Sequence, residues 1–393
     1  MRIRIHCALA AAVMVCAAAC SSGTAPRVAP AAITPSARFI LAGQFSIQPL
    51  TQFPPGTGPR FGGISGLAPT SDPAVFVGIS DDHETPRVYR LRMSGDGADF
   101  RAEALEFIPL QPSPRHASEL DPEGIAMIPG GDLIIVAEGL GTVEPRIPPS
   151  VMEYGPRGAF VGALPVRDRY HQNRTGPQTK GVRSNLGFEA AAVTRGGRLI
   201  VGTEGTLMQD GELTTFDKGA PSRILEYVRR DGEYRPAREF VYMVDPIRRP
   251  PFEAGLAVNG LVDLLSIDED VFVALERSFV AETGNTGRNI NRIQLFLIDL
   301  RPATDVSAHD SLKDAPAATP VKKTALVDLA NVPGLSPDLA PSLDNFEALA
   351  FGPMLADGRQ TLILVSDDNF NVSQRTWFLL FAVDGLASVQ RIQ

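Results

Sequence analysis

Glu123 and Glu138 stand at mirror positions about Gly130 and Gly131 in "DPEGIAMIPGGDLIIVAEG". Each carboxylate borders an apolar run and a Gly-Gly pair signals a turn, so the segment reads as a β-hairpin with the acids as cross-strand neighbours. Two carboxylates about 5 Å apart on one face repel, unless a cation, a basic group or a shared proton compensates them. "NLGFEAAAVTRGGRLIVGTEG" repeats the arrangement, with Glu189 and Glu204 mirrored about Gly196 and Gly197.

Weaker copies flank these two hairpins. "GGISGLAPTSDPAVFVGISDD" puts Ser65 and Asp81 at the two positions, and "NFEALAFGPMLADGRQTLILVSDDN" puts Glu347 and Asp367 there about a turn at Asp357-Gly358. "NGLVDLLSIDEDVFVALERSF" has Asp263 and Glu276 about Glu269-Asp270, leaving Ser65 as the one non-acidic residue in the set. Carboxylates converging from several hairpins suit a hard cation bound through oxygen, and calcium, with six to eight oxygen ligands and tolerant geometry, leads. Asn185, Asn345 and Asn369 lie beside acidic positions and add possible carbonyl ligands, whereas the scattered His83, His116, His171 and His309 form no zinc pattern.

A cation so held would position an anionic phosphoester and activate water. Arginine would finish such a site by forking onto phosphate oxygens. Arg277, directly after Glu276, is the first choice, with Arg87 and Arg375 behind it; the other reading of Arg277 is a salt bridge to a carboxylate of the ring. Covalent catalysis has little support, because "GGISGLA" lacks the second glycine of a nucleophile elbow. No P-loop or dinucleotide fingerprint is present.

Five such units need an architecture that brings their ends together. Their first positions, 65, 123, 189, 263 and 347, are spaced more widely than an ordinary propeller blade, so each unit carries a hairpin, further strands such as "RILEYVR" and "RIQLFLIDL", and insertions. With 36 Gly and 33 Pro the composition favours turn-rich β structure. The expectation is all-β, a β-propeller of five or six blades, since radial repetition protects strand edges and makes a central channel; an irregular pair of β-sandwiches is the alternative. Two insertions stand out. "VRDRYHQNRTGPQTKGVRSN" is basic and leads into the Glu189 hairpin, while residues 301–320 read as a polar surface loop.

The chain opens with Arg2 and Arg4 before an apolar run, Cys7 to Ala19, too short to span a bilayer and shaped like a secretory signal. "CAAACSSG" is similar to a bacterial lipoprotein signal with Cys20 as the lipidated residue, and Cys7, Cys16 and Cys20 are all the cysteines. Residues 1–19 are thus expected to be a lipoprotein-type signal peptide, 20–38 a flexible Pro/Ala-rich tether and 39–393 the folded domain. The protein is expected to be exported, lipid-anchored in the cell envelope and facing the periplasm. Loss of Arg2 and Arg4 would take the formal charge from −8 to −10, which argues against nucleic acid as a partner. Oligomeric state is left open.

"PEGIA…LIIVAEG", "GFEAAA…LIVGTEG", "LERSF" and "NFEALAF…LILVSDDN" together resemble the bacterial phytase-like family, described as having esterase-like activity of phytase. The resemblance runs from about Phe39 to the C-terminus. It implies a propeller related to calcium-dependent phytases and a metal-dependent phosphoester hydrolase, phytase-like or phosphodiesterase-like. Carried onto this chain, it implies Asp81, Asp82, Glu123, Glu138, Glu189, Glu204, Glu276, Glu347 and Asp367 as the acids, with Glu123, Glu189, Glu347 and Arg277 at the chemistry. A non-catalytic tethered binding propeller and a metal-dependent lactonase-like hydrolase remain as other readings.

Overall fold

The computed structural model describes residues 33–113, 120–284, 286–340 and 342–386, whose strands form five four-stranded antiparallel sheets in a ring. Strand β1 (Ile33–Ile47) comes first. Blade 1 is β2 (Ile64–Pro69), β3 (Val75–Ser80), β4 (Arg87–Ser94) and β5 (Arg101–Pro109). Blade 2 is β6 (Pro122–Met127), β7 (Leu133–Ala137), β8 (Ser150–Tyr154) and β9 (Phe160–Ala163). Blade 3 is β10 (Phe188–Val193), β11 (Leu199–Thr203), β12 (Ala220–Arg230) and β13 (Glu233–Val244). Blade 4 is β14 (Ala254–Ser266), β15 (Val271–Glu282), β16 (Asn289–Asp299) and β17 (Lys322–Asp328). Blade 5 is β18 (Asn345–Phe351), β19 (Thr361–Asp367) and β20 (Thr376–Leu386), completed by β1 on its outer edge. The blade number is therefore five, and pairs such as Phe39↔Val383 fasten one end of the ring to the other.

Sequence pattern and position in the blade agree. The second strands "VFVGIS", "LIIVA", "LIVGT" and "TLILVSD" are buried at every residue, because a neighbouring blade covers each face of the sheet. Farther out, "RVYRLRMS" in β4 alternates buried and exposed toward its end, as an outer strand with one covered face should. The core is accordingly a set of slabs between blades, such as Val77, Ile79, Ile125 and Ile135 between blades 1 and 2, and Val262, Val273, Leu349 and Leu364 between blades 4 and 5.

Cys20 and the leader lie outside the described residues. So does most of the expected tether, although β1 already begins at Ile33. Both insertions pack on blade 3, the first leading into β10 and the second, residues 301–320, joining β16 to β17 of blade 4. Arg223 on β12 is fully buried, forks onto Asp210 (Nε–Oδ2 2.7 Å, Nη2–Oδ1 3.0 Å) and donates from Nη1 to Glu239 Oε2 at 3.0 Å. Glu239 also takes Tyr170 Oη at 2.9 Å and pairs with Arg167 Nε at 3.0 Å. Arg169 contacts Glu239, His309 O and Asp310, tying residues 301–320 to the basic insertion. That second segment is more than a surface loop, since Val306 is buried and its N–H donates to Glu239 O. Lys180 bonds Asp168, and Arg183 donates to Thr206 O and Gly211 O. The cations of the basic loop thus tie blade 3 to the 301–320 segment of blade 4.

Candidate metal centre at the channel mouth

Strands β2, β6, β10, β14 and β18 start their blades and pack on one another around the axis. In all five the ladder slips, and in four of them the jump is from Ile64 to Gly66, Pro122 to Gly124, Phe188 to Ala190 and Phe346 to Ala348. The skipped residues are Ser65, Glu123, Glu189 and Glu347. A bulge re-aims the extra side chain out of the alternation. Glu123 therefore does not sit opposite Glu138, as a regular hairpin would place it; Glu138 follows Ala137, the last paired residue of β7, and its N–H donates to Asp121 O at 3.1 Å. Asp81 and Glu204 follow Ser80 and Thr203 in the same way, while Asp367 pairs with Asn345.

Glycines let these acids tuck beneath the next blade. Gly187 N–H donates to Glu138 Oε1 at 2.5 Å, and a Cβ on Gly187 would lie 2.8 Å from Glu138 Cα. A Cβ on Gly260 would meet Glu204 Cγ at 2.2 Å. The glycine of "LGFE" and that of "VNGL" each make room for a carboxylate from the preceding blade.

Carboxylate oxygens of Glu138, Glu189 and Glu204 lie within 4.8 Å of one another, and so do those of Asp121, Glu123 and Glu138. Glu138 is common to both groups. These residues are buried except for the half-buried Glu123. Burial, followed by mutual repulsion, raises Glu123, Glu138 and Glu189 well above the ordinary carboxylate range. Asp367 is raised too, by burial and then Asp81. Asp81 is pushed up to about 8 by burial and then Glu347, and Glu204 to about 7 by burial, with Arg277 opposing. His83 Nδ1 lies 3.0 Å from Asp121 Oδ1, a bond that lifts the imidazole to about 9. Asp81 Oδ1, Glu204 Oε1 and Ser65 Oγ are buried without a hydrogen-bond partner. Clustered, dehydrated and partly orphaned oxygens form a donor set that fits a hard divalent cation.

Blade 4 departs from the rule. Its pairing jumps from Leu261 to Asp263, so Val262 rather than Asp263 takes the bulge position. Asp263 instead accepts the N–H groups of Leu264 and Leu349, both at 2.7 Å, and stitches β14 to β18. Glu276 faces Leu261 across the ladder, and Arg277 follows where the other blades carry an acid. Glu276 is taken up by Tyr242 Oη (2.8 Å), Asn259 Nδ2 (3.1 Å), Asp245 N (3.2 Å) and Lys323, and joins neither carboxylate group. Arg277 reaches Glu347 Oε1 at 2.6 Å and Glu204 Oε1 at 3.5 Å, with its side chain 12% exposed. Its charge is committed to the ring rather than held open as a phosphate clamp.

A family model described as phytase-like, esterase-like activity of phytase, matches residues 59–370. The chain belongs to the phytase-like family. The match spans all five hairpins, including the blade whose acids depart from the pattern. Among solved structures, an endo-arabinase from Bacteroides thetaiotaomicron is similar at 10% identity and a TM-score of 0.39, with 88% of this chain and 98% of that one covered. A gluconolactonase from Xanthomonas campestris is similar at 10% identity and a TM-score of 0.34, covering 90% and 94% of the two chains. A DUF4221 member from Bacteroides vulgatus is similar at 8% identity and a TM-score of 0.36, covering 89% and 99%. No curated protein matches the chain.

The other residues expected in this phytase-like site are also accounted for. Asp82 is held by Arg87 at 2.5 Å and by Thr85, and Arg375 pairs with Asp338 at 2.6 Å, so neither arginine is held for a ligand. Asn345 Nδ2 donates to Asp367 Oδ2 at 3.3 Å. Asn185 and Asn369 serve as left-handed turn residues, with φ of 57° and 46°. Sequence spacing gave no site role to Asp121, His83 or Asp368. Asp121 could have been found, because "DPEG" aligns with "NFEA" and puts it at the position of Asn345. Asp368 accepts Gly63 N–H at 2.9 Å and links blade 5 to blade 1, a role no spacing announces.

Proposed function

We propose that this phytase-like propeller is an exported, divalent-cation-dependent hydrolase of anionic phosphoesters, with calcium the leading cation. The observation that carries the reading is the pair of buried carboxylate groups sharing Glu138. Glu138, Glu189 and Glu204 would hold one ion, with Asp121 and Glu123 extending the site. When bound, such an ion polarises the ester and lowers the pKa of water. Glu123, the most open of these carboxyls, would take the proton that water gives up once the ion holds it ionised. Arg277 keeps Glu347 and Glu204 in place from the far side of the ring. A lipid on Cys20 would keep the domain at the membrane surface of the cell envelope, where a small anionic phosphoester is the partner.

The test is a metal-resolved activity screen of the purified chain on a chromogenic phosphomonoester, a phosphodiester, phytate and a lactone. Turnover of a phosphoester that chelator abolishes and calcium restores supports the reading. Turnover of the lactone alone moves the assignment to lactone hydrolysis. Failure on all four substrates leaves a tethered binding propeller.

A further inference from the structure

Register singles out one position in the ring. In blades 2 and 3 the residue after the last paired residue of the second strand is a carboxylate, Glu138 after Ala137 and Glu204 after Thr203. Blade 4 pairs Leu261 with Glu276, and the equivalent next residue is Arg277. Its bulge residue is Val262, where blades 2, 3 and 5 carry Glu123, Glu189 and Glu347. Blade 4 therefore contributes no carboxylate to the mouth and brings a fixed positive charge instead.

The guanidinium is placed as an ion would be. Nη2 alone spans Glu347 of blade 5 and Glu204 of blade 3. Arg277 Nε is buried with no acceptor, and Glu204 Oε1 is buried with no hydrogen bond. A fork built for stability uses two nitrogens on one carboxylate, as Arg223 does on Asp210. Here one nitrogen bridges two carboxylates whose backbones belong to different blades, which is the work a bridging cation does.

We propose that Arg277 is a resident substitute for a divalent cation: it neutralises Glu204 and Glu347, confines ion binding to the side of blades 2 and 3, and masks a further cation site between Glu204 and Glu347. The inference rests on the cation-binding reading of the mouth. It makes residue 277 the determinant of how many ions the ring takes. Replacing Arg277 by Glu restores the repeat's acid and adds a third carboxylate to the masked site.

Calcium stoichiometry is the readout, taken by equilibrium dialysis and elemental analysis on the chelator-stripped full chain. Arg277→Glu should bind about one more calcium per chain than wild type, a hard cation replacing the guanidinium. Arg277→Gln should gain the same ion with at least tenfold weaker affinity, and Arg277→Lys, which keeps the charge, should retain the wild-type number. If circular dichroism shows Arg277→Glu unfolded, Arg277→Gln decides by the same count. Wild type binding calcium while neither the Glu nor the Gln variant binds more overturns this inference alone. Wild type binding none overturns the cation reading beneath it. A gain of calcium by Arg277→Lys also overturns it, because charge would then not be what excludes the ion.

Discussion

Two buried clusters of charge sit in the same molecule and are built from the same residue types. Against the outer strands of blade 3, Asp210 in the β11–β12 connection and Glu239 on β13 are buried, but Arg223 forks onto the first, and Arg223, Arg167 and Arg169 surround the second. At the channel mouth Glu138, Glu189, Glu204 and Asp367 are as deeply buried, but the charges around them are mostly more carboxylates, with Arg277 and His83 as the partial exceptions. Burial alone does not separate architecture from function. The source of the compensating charge does: the blade 3 cluster is balanced by the chain, whereas the mouth must draw protons or cations from solution.

The sharpest way to break the contrast is to remove the chain's own compensation. Arg223→Ala strands Asp210 and leaves Glu239 short of a donor, and should cost about 3–5 kcal/mol of stability, the usual range when one partner of a buried pair is deleted. Chemical denaturation measures it, and calcium should not recover the loss. A cost below about 1 kcal/mol would mean that the blade 3 cluster is not self-contained.

Acidity and calcium test the other cluster. Mouth carboxyls whose folded pKa is raised bind more protons in the folded than in the unfolded chain, so the metal-free protein loses stability as pH climbs from the unfolded values near 4 through the folded ones. Glu204 and Asp81, at about 7 and about 8, titrate inside that window. Thermal melts of chelated protein should therefore be higher at pH 5 than at pH 8. Calcium at a hundred times its dissociation constant should restore about 2.7 kcal/mol at the upper pH. A chelated melt that is flat across this range, or one that calcium does not move, contradicts the account of the mouth.

The smallest effect separates two glutamates that the sequence treats alike. Glu189→Gln should weaken calcium binding at least tenfold, about 1.4 kcal/mol, and leave the chelated melt equal or higher because one repelling charge is gone. Glu276→Gln should leave calcium affinity unchanged, since Lys323, Tyr242 and Asn259 already satisfy that side chain. Titration calorimetry on the two variants decides it. Equal losses of calcium affinity would return Glu276 to the ring.

Much was legible in the linear pattern because it is local. A carboxylate, an apolar run, a glycine turn, a second apolar run and a second carboxylate specify a hairpin and which of its ends carries acid, and five such units specify a ring of blades. The uninterrupted apolar second strands announce sheets covered on both faces, which a propeller provides. In blades 2 and 3 the mirrored acids are those the fold brings together.

The bulges were illegible, because one skipped residue leaves no mark on composition, yet it decides that Glu123, Glu189 and Glu347 leave the ladder while Asp263 stays in it. For the same reason "LER" could not say whether Glu276 or Arg277 would occupy the ring position, since a shift of one residue in a strand exchanges its faces. The amino-acid sequence by itself determined the β repeat, the five acidic hairpins and a demand for compensating charge. Tertiary structure alone decided which carboxylates meet, because the distances between their oxygens depend on strands from different blades, and which charges the chain neutralises for itself.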